Sequence, residues 1–285
     1  MPMLNASRLA SILTDRYGLA LIGEAVDDAE GQRARFRPRE LAHTRGFCVS
    51  VLIAWRTVEV EFIPGTYAKQ LLGLMAEADP EKRNVFKTFM RAAIADGAAV
   101  TFAINGQQID AQRPELWPTQ WNSLTLSMVK GPMQIDGKNP SSLESLALTW
   151  GGRLLGASLA LMPLEPVDTD QRGEEEGGAY SAIVTKHERS RLNRAACIDI
   201  YGTRCQACGF EFGEFYGPTG TGFIEVHHLE LVARLAPGTV LDPATDLVPL
   251  CSNCHSMAHR RKERPYSIEE LRAMIAAAAG GAPSK

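Results

Sequence analysis

The sequence has no apolar run approaching the roughly 20 residues a helix needs to cross a bilayer, so no membrane partner is expected. Its N-terminal stretch lacks the charged, apolar and cleavage segments of a secretory signal, which points to the cytoplasm, where thiols stay free to bind metal. Neither sign of charge dominates: 30 Lys and Arg stand against 33 Asp and Glu, for a net charge of −3. The overall basic excess of many nucleic-acid binders is therefore missing, and any electrostatic footprint must be local. No internal repeat is present. Cysteine is also scarce, with six in 285 residues, so the placement of each is informative.

Four of the six form two C-x-x-C pairs, Cys205-Gln206-Ala207-Cys208 and Cys251-Ser252-Asn253-Cys254. Two such knuckles close a tetrahedral Zn²⁺ site with thiolates and leave no coordination position open, so a structural zinc is expected. Cys48 and Cys197 sit alone and read as buried thiols. Four of the six histidines fall in the same segment: His227 and His228 follow Glu225-Val226, and His255 and His259 stand four residues apart. On a helix the latter two share a face, and a residue from the 227–228 strand can complete a second, open metal site. Adjacent His227 and His228 point to opposite faces of a strand and cannot share one task, but spacing does not say which does what. His43 and His187 lie outside this cluster and are assigned no chemistry.

Residues 223–228 alternate apolar and polar and read as a strand, and 246–250 as a second short strand after a loop with Pro237, Gly238 and Pro243. From Ser252, a candidate N-cap, the pattern is helical. Further stretches that carry a family likeness are Glu188-Arg189-Ser190 with Arg194, Tyr201-Gly202-Thr203-Arg204 before the first knuckle, Gly222 through Leu229, Asp242-Pro243, Asp246 through His255, and Pro265 through Leu271. On these, 180–275 resembles the HNH nucleases of the ββα-metal class, in the four-cysteine branch that includes McrA-like restriction endonucleases of modified DNA. The likeness covers about the last third of the chain.

That resemblance implies a strand, strand, helix hairpin holding one divalent ion against a scissile phosphate. It makes His228 the general base, gives Asp246 the middle position of the motif, and turns His227, His255 and His259 toward a catalytic metal, Mg²⁺ or Mn²⁺ being the first expectation. Two positions depart from the pattern: Asp246 stands where asparagine is usual, and Leu231 where a proline often follows the paired histidines. DNA is the implied partner, with Arg189, Arg191 and Arg194 before the first knuckle and Arg260, Arg261, Lys262 and Arg264 after the helix as candidate phosphate contacts. A homodimer stays open.

The fold class expected is α+β, with an α+β domain over 1–162, an acidic linker over 163–179 and the nuclease-like domain over 180–285. In the first domain, 5–17 has helical periodicity, 47–62 reads as two β runs, and 66–95 as two helices parted by Asp79-Pro80. Residues 99–104 and 123–129 read as strands, with Asn105-Gly106 a hairpin turn. Trp55, Arg56, Tyr67, Trp117, Trp121 and Trp150 could serve a base pocket or simply the core, and Arg83, Lys87 and Arg91 share a helix face. Three functions remain: a DNA endonuclease in restriction or anti-phage defence, a zinc finger that binds nucleic acid without cutting it, and an effector nuclease switched on by a molecule or protein sensed by the first domain.

Overall fold

The computed structural model describes residues 4–163, 186–229, 241–261 and 264–280. Chain contacts divide it into two compact units, 1–195 and 196–285. The expected linker, apart from Pro163, lies outside the described residues, as does Leu231.

The first unit is a seven-stranded antiparallel sheet with helices. In chain order it runs α1 (Ala6–Tyr17), β1 (Leu21–Asp27), β2 (Gly31–Pro38), β3 (Phe47–Ala54), β4 (Val58–Pro64), α2 (Lys69–Ala76), α3 (Pro80–Ala95), β5 (Ala99–Ile104), β6 (Gln107–Gln108), β7 (Leu124–Lys130) and α4 (Pro140–Ala160). The strand order is β1-β2-β3-β4-β7-β5-β6. Local chemistry marks many boundaries. The Asn5 side chain caps α1 at its start, Gly18 ends it in the left-handed conformation, and Asp79 caps α3 with Pro80 at its first position. Asn105 and Gly106 both take positive φ and close the β5–β6 hairpin.

Alternation along β4 and β7 turns Val58, Val60, Phe62, Leu124, Leu126 and Met128 inward, where α4 packs on β3 and β4 and α3 packs on α4. Phe86, Phe102, Trp117 and Trp121 meet edge-on or tilted at one end of this core, with Arg83 over the Trp117 ring. Trp117, Trp121 and Trp150 are thus core residues, while Trp55 and Tyr67 are exposed.

The second unit begins within helix α5 (Lys186–Tyr201) and continues through α6 (Phe212–Tyr216), β8 (Glu225–His228), β9 (Leu247–Leu250), α7 (Ser252–Ala258) and α8 (Ile268–Gly280). β8 and β9 pair antiparallel, with Glu225 opposite Leu250 and His228 opposite Leu247. Ile224, Val248, Leu250, Ala258, Ile268 and Leu271 form a small core, against which Phe210, Phe212 and Tyr266 pack. Mixed α+β architecture holds for the chain, and no helix among the described residues is long and apolar enough to cross a membrane.

Candidate metal centres

The first knuckle is a tight turn: Cys205 N–H donates to the Phe210 carbonyl, Gly209 N–H to the Cys205 carbonyl, and Gly209 has a φ of 76°. Gln206 N–H donates to the Pro249 carbonyl, which docks the turn beside β9. The second knuckle opens α7. Its cap is Cys251, whose sulfur accepts from Cys254 N–H, so Ser252 is the first helical residue and not the cap. The sulfur has taken the role expected of the hydroxyl because Cys251 must face the first knuckle. Arg272 on α8 donates twice to the Gln206 carbonyl and ties α8 to the turn.

The four sulfurs lie within 4.8 Å of one another, and those of Cys208 and Cys251 are 3.7 Å apart. A tetrahedron of thiolates at about 2.3 Å from zinc has edges of about 3.8 Å, so the donor set fits that ion. Electrostatics agree. Burial pushes the Cys205 thiol up, but surrounding backbone amides outweigh it and bring it to about 7. Burial and the neighbouring sulfurs push Cys254 well up. One thiolate is tolerated, further negative charge is resisted, and a divalent cation would remove the conflict. The cluster can hold a metal ion such as zinc. Cys48 and Cys197 are buried and lie apart from it.

A second cluster sits on the other end of α7. The ligand atoms of His227, His255 and His259 lie within 4.8 Å of one another, and the three rings meet edge-on with centroids 4.8 to 5.1 Å apart. His255 lies on α7 and His259 is the residue that ends it, one turn on, while His227 reaches them from β8. Burial, aided by the imidazoles of His255, His259 and His228, holds His227 down at about 4. Its Nδ1 is buried with no hydrogen-bond partner. Three imidazoles converging with one orphaned buried nitrogen are a donor set suited to a cation, and an unpaired buried polar atom is otherwise costly.

His228 does not join this group. Half-buried at the end of β8, it is held down by burial and by His255, while Asp246 pulls it the other way. Asp246 closes the turn over 242–246: its carboxylate accepts from Asp242 N–H and Thr245 Oγ, and its carbonyl accepts from Leu229 N–H.

The arginines divide differently. Arg260 and Arg191 are exposed and Arg194 is half-buried. Arg261 and Arg264 both donate to Glu270, and Arg261 stacks on Tyr266 at 4.0 Å. The Arg189 side chain and Lys262 lie outside the described residues. Arg83 is also structural in part, donating to the carbonyls of Ala76, Ala78 and Pro114.

Glu225 is the site residue that sequence reasoning passed over. Its carboxylate bonds to His255 Nδ1 and accepts from Ser252 Oγ. The signal was present: two residues before His227 on a strand, Glu225 projects to the same side. Comparison with known family models, curated proteins and solved structures finds no match to this chain.

Proposed function

We propose that the second unit is a metal-dependent HNH endonuclease domain that hydrolyses DNA phosphodiester bonds, with zinc in the four-cysteine cluster. The observation that carries this reading is the three-histidine cluster built across β8 and α7, separate from the sulfurs and with His228 beside it but outside it. A purely structural finger has no use for a second donor set, and antiparallel β8–β9 followed by α7 is the element order of a ββα-metal hairpin.

His227, His255 and His259 would hold the catalytic cation, which when bound supplies charge compensation on the phosphate and stabilises the leaving oxygen. Imidazole donors suit first-row transition ions better than Mg²⁺, so Mn²⁺ ranks above Mg²⁺ among the two expected metals. His228, uncharged at neutral pH and outside that donor set, accepts a proton from the attacking water at its unprotonated ring nitrogen. Asp246 fixes the turn over 242–246 that flanks it, accepting the bonds that the usual asparagine oxygen would accept. Exposed Arg260 follows directly after His259 and is suited to a phosphate contact. The first unit is the natural seat of target or trigger recognition, since a hairpin that grips phosphate reads little sequence.

Zinc-loaded full chain incubated with unmodified, cytosine-methylated and phage DNA in Mn²⁺, Mg²⁺ or chelator tests this. Cleavage of at least one DNA with metal and none in chelator is expected. Binding without cutting in every arm would make the protein a zinc-finger module instead.

A further inference from the structure

Glu225 occupies a position that neither metal cluster explains. It is on β8, its side chain is only about a third exposed, and both carboxylate oxygens are used on α7: one accepts from Ser252 Oγ in the first turn and the other bonds to His255 Nδ1.

A glutamate carboxylate, ionised at neutral pH by its ordinary acidity, has only acceptor sites, so the shared hydrogen belongs to His255 Nδ1. In the neutral tautomer with Nδ1 protonated, the other ring nitrogen, Nε2, carries the lone pair a cation needs. We infer that Glu225 is a positioning residue for the histidine cluster: it fixes the tautomer and ring angle of His255 so that Nε2 faces His227 and His259. The inference rests on the reading of that cluster as a metal centre. Carboxylates that accept from the distal N–H of a ligating histidine raise its donor strength, and their loss typically costs about 10- to 100-fold in metal affinity.

The same side chain also pins β8 to α7, and that purely structural role must be told apart from the positioning one. Ser252→Ala removes one arm of the pin and leaves the His255 arm intact. Glu225→Gln keeps a carbonyl acceptor but loses the charge, and Glu225→Ala loses both arms. The experiment is calorimetric titration of Ni²⁺, an ion that favours imidazole, into the zinc-loaded full chain of wild type and each variant. Zinc content and melting are recorded in parallel.

One Ni²⁺ per chain is expected for wild type. Ser252→Ala should bind within a few-fold of it, Glu225→Gln more weakly, and Glu225→Ala about 10- to 100-fold more weakly with zinc content unchanged. Equal affinity for wild type and Glu225→Ala overturns the positioning role while leaving the metal centre standing. A loss in Ser252→Ala as large as in Glu225→Ala overturns it too, since the carboxylate would then be a pin only. No Ni²⁺ binding by wild type overturns the metal centre itself.

Discussion

A single peptide step separates His227 from His228, and it sends their side chains into different surroundings. His227 is buried against the rings of His255 and His259, whereas His228 stops half-buried beside Asp246. The paired histidines were legible as a site in the sequence, but spacing alone left their roles open, because the division depends on which face of β8 meets α7. Glu225 was harder to see, since a glutamate on a strand reads as solvated until its partner helix is placed. Arg261 and Arg264, read in the sequence as phosphate contacts, both pair with Glu270, a partner that spacing did not reveal. Hydrogen bonds from Arg264 and from Ser267 N–H keep the Glu270 carboxyl down at about 2, against 4.5 when free. A depressed carboxyl stabilises the fold above about 4.5 and loses that contribution as pH falls through about 2. An NMR titration should find the Glu270 midpoint far below its neighbours, and Arg264→Ala should move it up toward 4.5; an unmoved midpoint would dismiss the clamp.

Among the elements, those with a strong local mark were readable and those defined by their neighbours were not. Asp79-Pro80 and Asn105-Gly106 carry their geometry in their own chemistry, and the structure uses both as read. α4 carries no amphipathic stripe because every residue over 150–160 is buried, so there is no polar face to set a period. β1 is equally quiet: only Leu21 of its residues is buried, and a glycine stands where the strand meets α1. A Cβ at Gly23 would fall 2.0 Å from the Ala6 carbonyl oxygen. The same close approach recurs on α4, where a Cβ at Gly156 would lie 2.5 Å from Phe89 Cζ and 2.9 Å from Tyr17 Oη. Phe89 and Tyr17 are both buried and cannot swing away. Gly156→Ala should therefore destabilise the first unit by about 1–3 kcal/mol despite the better helix propensity of alanine. A denaturation midpoint equal to or above wild type would mean that α4 packs less tightly than the contacts indicate.

For the molecule as a whole, two units with separate cores imply two stabilities. The first unit has a large apolar core and, among the described residues, neither of the two donor clusters, whereas the second has a small core and both. Metal binding at the cysteines is then folding free energy for the second unit. Calorimetry of the full chain should show one transition lost or lowered by chelator, or by Cys205→Ala or Cys251→Ala, and another unchanged. Two transitions that both ignore chelator would contradict a structural metal. The most direct test of the nuclease account is nicking of supercoiled plasmid as a function of Mn²⁺ concentration for wild type, His228→Ala and His255→Ala. His228→Ala should cut at no metal concentration while keeping zinc and fold, since it removes the proton acceptor alone, whereas His255→Ala should regain part of its activity as Mn²⁺ rises. Wild-type nicking by His228→Ala would contradict the account by leaving the reaction without its base.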